Sequence, residues 1–393
     1  MATREGTWRY RNRFGDSFGR TYFRRFGPGV VSSLGIGTYL GDPTAAVDER
    51  YRQSIRLALE SGINVIDTAV NYRCGRSERV VGDAVRTSDI DRESVLVATK
   101  GGFVPFDGDR PADPAGYVRG TFVDPGIVSI EELAGGSHAI SPSFIDAMVD
   151  RSLRALDLDT IDVYYVHNPE TQLSVRSREA VYDRLEATFE QLERRRRAGE
   201  IGRYGIASWE AFRVPEDHES YLSLPAILER ARRAAASVFE GGSDTAAGHG
   251  DVPDPVDSPD PDTAPDHGLR AIQLPFNVSM ADAFTMKNQP LPDDPTGSDE
   301  TRVSTLECAR RAGVGVFTSA SIGQGSLVEA IPEPIDGELA GDVAAQRAIN
   351  FARSAPGVTS ALVGTSDPNH VRENIAAGTF DPLGATAFDA VFQ

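Results

Sequence analysis

Short apolar runs alternate with amphipathic stretches along almost the whole chain. Each run has the length of a buried strand, and between runs the apolar positions recur at three and four, the period of a helix with one buried face. The strands predicted are 29–37, 63–67, 94–100, 160–167, 203–208, 269–278, 314–320 and 359–364. The helices that follow them are 48–61, 77–86, 142–156, 178–199, 224–239, 301–313, 344–355 and 369–378. Strand–helix units in this number and order predict an α/β fold of the TIM type, a (β/α)8 barrel, which occupies about 250 residues before insertions.

The chain has 393 residues, and the surplus has definite places. Residues 1–28 read as an N-terminal extension and 29–393 as one barrel domain. Residues 101–141, rich in Gly, Pro and Phe, follow the third strand. Loops after barrel strands lie on the active-site face, so this insertion is expected to form a lid or wall there. Residues 241–268 hold seven Asp and neither Lys nor Arg. Such a stretch lacks the apolar content to fold, and its place between a helix and a strand puts it on the opposite face. Residues 279–299 and 321–342 read as further wall-forming loops.

Charge narrows the field of partners. The net charge of −18 makes nucleic acid an unsuitable one. No apolar run approaches the ~20 residues of a membrane span, and the basic N-terminus has no apolar segment behind it, so no secretory signal is read. Two cysteines, Cys74 and Cys308, exclude a disulfide framework, and the six histidines show no metal-ligand spacing. The expectation is a cytoplasmic protein, monomer or small homo-oligomer. Lys100 and Lys287 are the only lysines against 38 arginines, and with abundant Asp this suits a halophilic host.

Against that composition, four residues carry candidate chemistry. Asp67, Lys100 and His167 each close an apolar run, and Tyr72 lies five residues past Asp67. Each alone has an ordinary structural reading, a helix cap or a packing residue, although a buried lysine is rare. Together at strand carboxyl ends they converge on one crevice. There an ammonium lowers the pKa of a nearby phenol, and a carboxylate keeps the ammonium charged and in place. That is acid–base machinery for a carbonyl group.

The motifs around these residues resemble the aldo-keto reductase family over roughly residues 29–378. GIGTY (35–39) is similar to the family's opening turn beside the cofactor, placing Gly37, Thr38 and Tyr39 there. INVIDTAVNYRCGRSERVVG (63–82) resembles the signature that holds the aspartate and tyrosine. VATKGG (97–102) resembles the lysine strand, and VYYVHNPE (163–170) the histidine strand. GEIGRYGIAS (199–208) resembles the segment that holds the nicotinamide carboxamide, with Gln273 assisting. PGVTSALVGTSDPNHVRENIAAG (356–378) resembles the segment that grips the adenosine end through Gly364, Thr365, Ser366, His370, Glu373 and Asn374.

The resemblance implies a (β/α)8 oxidoreductase using NADP, with NAD possible, on a small-molecule carbonyl or sugar substrate. By it, Tyr72 gives a proton to the carbonyl oxygen, Lys100 and Asp67 tune Tyr72, and His167 orients the carbonyl; Asp67 also faces the cofactor. The reverse reaction would oxidise an alcohol or sugar hemiacetal. A second function consistent with the same fold is a cofactor-binding redox sensor or regulatory subunit with slow turnover. Two departures stand out. Ser319 aligns where the family often has an aromatic ring on the nicotinamide, and Ala207 and Ser208 replace the usual Ser-Asn pair. No Arg or Lys stands at 370 to clamp a 2′-phosphate, and Arg372 is expected to face away.

Overall fold

The computed structural model describes residues 1–19, 21–241, 267–291, 302–329, 331–332 and 335–392. Helix α1 (Arg4–Phe14), capped by the Thr3 side chain, precedes a hairpin of β1 (Phe23–Phe26) and β2 (Gly29–Ser32). Then come β3 (Leu34–Gly37), α2 (Ala45–Glu60), β4 (Val65–Asp67), α3 (Arg76–Arg86) and β5 (Leu96–Gly101). The insertion after β5 contains α4 (Pro114–Val118) and leads to α5 (Pro142–Leu156), β6 (Ile161–His167), α6 (Arg178–Arg197), β7 (Ile201–Ala207) and α7 (Leu224–Gly241). The described chain resumes before β8 (Leu269–Pro275) and α8 (Asp282–Thr285). It continues through α9 (Thr305–Arg311), β9 (Gly315–Ser319), α10 (Ala344–Ser354), β10 (Val358–Gly364), α11 (Pro368–Ala377) and α12 (Ala385–Ala390).

The strands β3 to β10 are all parallel and close on themselves in chain order, with β10 pairing β3. The (β/α)8 barrel is therefore present, and each predicted strand–helix unit has its counterpart. One boundary is corrected. Residues 29–37 are two strands rather than one: 29–32 pairs antiparallel with β1, and only 34–37 enters the barrel. The break is held by Asn64, whose amide accepts from Ser32 N at 2.8 Å and donates to Val30 O and Ser94 O. Every residue of both strands is buried or nearly so, which hid the break from apolar patterning.

The hairpin stoppers the amino-terminal end of the barrel. Phe26 packs edge-on against Phe317 at 5.1 Å between centroids, with the Arg203 guanidinium over its other side. The extension and the barrel thus share one hairpin. The 101–141 insertion joins the main core through a run of rings, Phe106 on Tyr117, Tyr117 on Phe122 and Phe122 on Phe144 of α5. The acidic stretch 241–268 lies outside the described residues apart from its ends. No described helix is long and apolar enough to cross a membrane.

Candidate active site

Side chains alternate inward and outward along each strand. Val65, Leu96, Ala98, Val163, Tyr165, Ala271, Phe317 and Leu362 pack inside the barrel. Two residues further toward the carboxyl ends, the same parity reaches Asp67, Lys100, His167, Gln273, Ser319 and Gly364, with Gly37 and Ala207 completing the ring. All of these except Lys100 line one cavity of about 520 Å³. Tyr72 and Thr38 line it too, so the four residues predicted to act together are brought to one place.

Lys100 lies beneath the cavity, 1% exposed. Its Nζ donates to Asp67 Oδ1 at 2.5 Å, to Thr68 O at 2.9 Å and to Tyr72 Oη at 3.3 Å. The other Asp67 oxygen accepts from Gln273 Nε2 at 2.7 Å. Burial disfavours the charged lysine, but Asp67 and then Tyr72 outweigh it and raise its pKa. Tyr72 departs from the expectation. Burial raises its pKa by more than Lys100 lowers it, and Asp67 adds to the rise, so the phenol keeps its proton more firmly than free tyrosine.

The turn after Tyr72 is strained and pinned. Arg73, Cys74 and Gly75 are consecutive left-handed residues, with φ of 48°, 57° and 77°. Non-glycine residues adopt this at a cost of about 1–3 kcal/mol each, so surrounding bonds must enforce it. The buried Arg73 guanidinium donates to Asp42 O at 3.1 Å and to Asp48 Oδ1 at 2.5 Å, and Arg76 holds the other Asp48 oxygen. Burial pushes the Asp48 carboxyl up, but these two arginines more than offset it and lower its pKa.

His167 faces the cavity at the end of β6, its ring 6.1 Å from that of Tyr72. Burial, then Lys100, then His138 hold it well below the ordinary imidazole range, so the ring is neutral. His138 comes from the insertion after β5 and is fully buried. Its Nδ1 accepts from Gln172 Nε2 at 3.0 Å, which leaves the proton on Nε2 to donate to the His167 carbonyl at 2.7 Å. Gly102, at φ 156°, makes room for this joint: a Cβ there would lie 2.6 Å from His167 O. Phe103 sits edge-on to both His138 and His167 and lines the cavity. Of the expected lid or wall, 101–141 supplies one wall residue, Phe103, and braces the His167 strand end, while Phe106, Tyr117 and Phe122 do not line the cavity.

The predicted cofactor residues divide. Gly37, Thr38, Tyr39, Asp67, Ser208, Gln273 and Gly364 line the cavity. Thr365, Ser366, His370, Glu373 and Asn374 do not; they follow β10 onto α11, beyond the wall. The Ser208 hydroxyl donates to the buried carboxylate of Glu170 at 3.0 Å and accepts from Ala211 N, so it is already engaged. Arg372 is exposed and donates to the Asn369 side chain at 3.1 Å, one turn back along α11. Ser319 stands in the wall with no ring there. Patterning did not reveal Asn71, Asn168, Trp209, Ile322 and Gln324, which also line the cavity. They sit in loops beyond strand or helix ends, where no periodicity exists. Their one legible signal was a place just past a barrel strand.

Residues 33–220 match the sequence model described as "Aldo/keto reductase family". That span runs from β3 to the loop after β7 and contains all four predicted catalytic residues. The uncharacterized oxidoreductase YqkF of Bacillus subtilis is 29% identical over 178 residues, 45% of this chain and 44% of its own length. The chain spans less than half the length of the curated relatives it matches. Among solved structures, aldo-keto reductase AKR11C1 from Bacillus halodurans in its holo form superposes with a TM-score of 0.56 at 20% identity. That match covers 94% of this chain and 95% of the other. An aldo-keto reductase from Klebsiella pneumoniae in complex with NADPH gives 0.55 at 17% identity, over 94% and 93%. At such identities these two likenesses establish the fold.

Proposed function

Since this chain belongs to the aldo-keto reductase family, we propose that it is an NADP(H)-dependent oxidoreductase that reduces an aldehyde or ketone, or runs the reverse oxidation, with Tyr72 as general acid and base. One observation carries this reading: the Lys100 ammonium lies between the Asp67 carboxylate at 2.5 Å and the Tyr72 hydroxyl at 3.3 Å, at the floor of a cavity that His167 shares.

Each residue has a task that its surroundings support. Tyr72 keeps its proton through the neutral range and can release it to an oxygen on which charge develops. Lys100 takes up the phenolate charge as it forms, and Asp67 with Gln273 keeps Lys100 charged and pointed. Neutral His167 can donate to or accept from a carbonyl or alcohol oxygen without carrying charge of its own. When bound, the reduced nicotinamide supplies the hydride.

The wall fits that group in part. Gly37, Ser319, Ala320 and Gly364 leave a slot of small side chains from Tyr72 toward α11. Within it, Gln273 would offer a carboxamide its amide oxygen, because its nitrogen is held by Asp67. The K. pneumoniae neighbour's NADPH complex supports NADP(H) here as well. At the adenosine end the Asp367 side chain caps α11 and sets a carboxylate at the very terminus where a phosphate would favour free amides. NADP(H) is therefore expected to bind with modest preference over NAD(H). Calorimetric affinities should differ by less than about a thousandfold, roughly 4 kcal/mol. A larger ratio would mean a basic group other than those at 364–374 reaches the phosphate. The intact four-residue arrangement weighs against a sensor that has lost its chemistry.

A further inference from the structure

In a chain that is 25% charged, the cavity is almost free of charge. Among the described residues, Asp67 is the one Asp, Glu, Lys or Arg in its wall. Both Asp67 oxygens are taken by Lys100 and Gln273, and His167 is neutral, so the floor presents no net charge to a ligand. The segments after β8 and β9 outside the described residues, 292–301, 330 and 333–334, contain neither lysine nor arginine. Lys287 is exposed and stands outside the cavity.

The remaining wall is apolar with a few amides. Phe103 and Ile322 line the interior, and Tyr39, Leu40 and Trp209 stand at the mouth with 55%, 42% and 43% of their surface exposed. Large apolar side chains left open to water together at one cavity are unusual on a surface this acidic and mark a place for an apolar body. An anion entering the same space would shed its hydration and find no cation to replace it. It would also approach a protein of net charge −18.

We propose that the substrate is an uncharged carbonyl compound with an aromatic or aliphatic body, and that carbonyl compounds bearing a carboxylate or phosphate are rejected. The proposal rests on the reductase reading above and narrows it to one substrate class. The body would pack against Phe103 and Trp209 with its carbonyl toward Tyr72 and His167.

The test compares 4-formylbenzoate with its methyl ester, two aldehydes of similar size that differ in charge at the far end of the ring. The expected kcat/KM for the ester exceeds that for the acid by about 100-fold. Repeating this at high salt separates wall from surface, because the Debye length falls from about 10 Å at 0.1 M to about 3 Å at 1 M. A wall effect keeps the ratio; a ratio that collapses at high salt, or an acid turned over as well as the ester, overturns the proposal. Leu40→Arg should narrow the ratio by raising turnover of the acid. Quenching of Trp209 fluorescence by the two compounds, with Trp209→Phe to identify the signal over that of Trp8, reads binding without chemistry. If neither aldehyde is reduced but the ester alone quenches Trp209, the substrate class stands and the reductase reading falls. Equal quenching by both overturns the substrate class.

Discussion

Replacing Tyr72 with phenylalanine is expected to lower carbonyl turnover by roughly two to four decades while leaving NADPH affinity almost unchanged. The ring stays, with its edge contacts to Tyr39 and His167 and the Lys100 ammonium over its face, so the cavity keeps its shape. What leaves is the one hydroxyl placed to give a proton to the substrate oxygen. The wild-type pH profile belongs to the same expectation. Because burial raises the Tyr72 pKa, reduction should hold steady up to the ordinary tyrosine value near ~10. Because His167 is held well below its ordinary range, no loss from its titration should appear near ~6.5. Steady-state kinetics across pH check both points. A Tyr72→Phe enzyme within tenfold of wild type would remove Tyr72 from the chemistry.

Lys100→Met should cost both activity and stability. Lys100 and Asp67 are both buried and paired, and removing one partner of such a pair typically costs about 3–5 kcal/mol because the other charge is left alone. Asp67 would keep only the bond from Gln273. Turnover should fall by at least two decades, since nothing then steadies the phenolate. The double variant Lys100→Met with Asp67→Asn separates the two effects. With no charge left buried, most of the stability should return while turnover stays low, as measured by denaturant unfolding and initial rates. Recovery of turnover together with stability would make the pair purely structural. The sign of the pH effect is also fixed. The Lys100 pKa is raised in the folded state, so its contribution to stability is complete below the unfolded value near ~10.4. It fades only as pH rises through the folded one. Wild type should therefore lose stability in alkali to a degree that the double variant does not.

How far the sequence could be read follows from which signals are periodic. The barrel was legible because each strand is an apolar run and each helix an amphipathic one. The residues at the floor were legible because each stands two positions beyond an inward apolar residue near the carboxyl end of its strand: Asp67 after Val65, Lys100 after Ala98, His167 after Tyr165 and Gln273 after Ala271. What patterning missed depends on contacts between segments distant in sequence. The split at Ser32 is enforced by Asn64, the insertion is tied to His167 by His138, and the turn after Tyr72 is held by Asp48 from α2. Charge balance was hidden for the same reason. A sequence places an ammonium near a phenol, but only burial decides whether the phenol's pKa falls or rises, and for Tyr72 it rises. Motif alignment assigned Thr365, Ser366, His370, Glu373 and Asn374 to the adenosine end, and in the structure they lie just after β10 or on α11, outside the lining of the cavity.

The central claim is that this cavity passes a hydride to a carbonyl carbon while Tyr72 gives a proton to its oxygen. NADPH carrying deuterium at the transferable position, mixed with the protein and an uncharged aromatic aldehyde, tests it most directly by mass spectrometry of the product. The account predicts an alcohol with one deuterium on the carbinol carbon, formed at a rate that Tyr72→Phe cuts by at least two decades. An unchanged aldehyde, or an alcohol carrying no deuterium on that carbon, would contradict it.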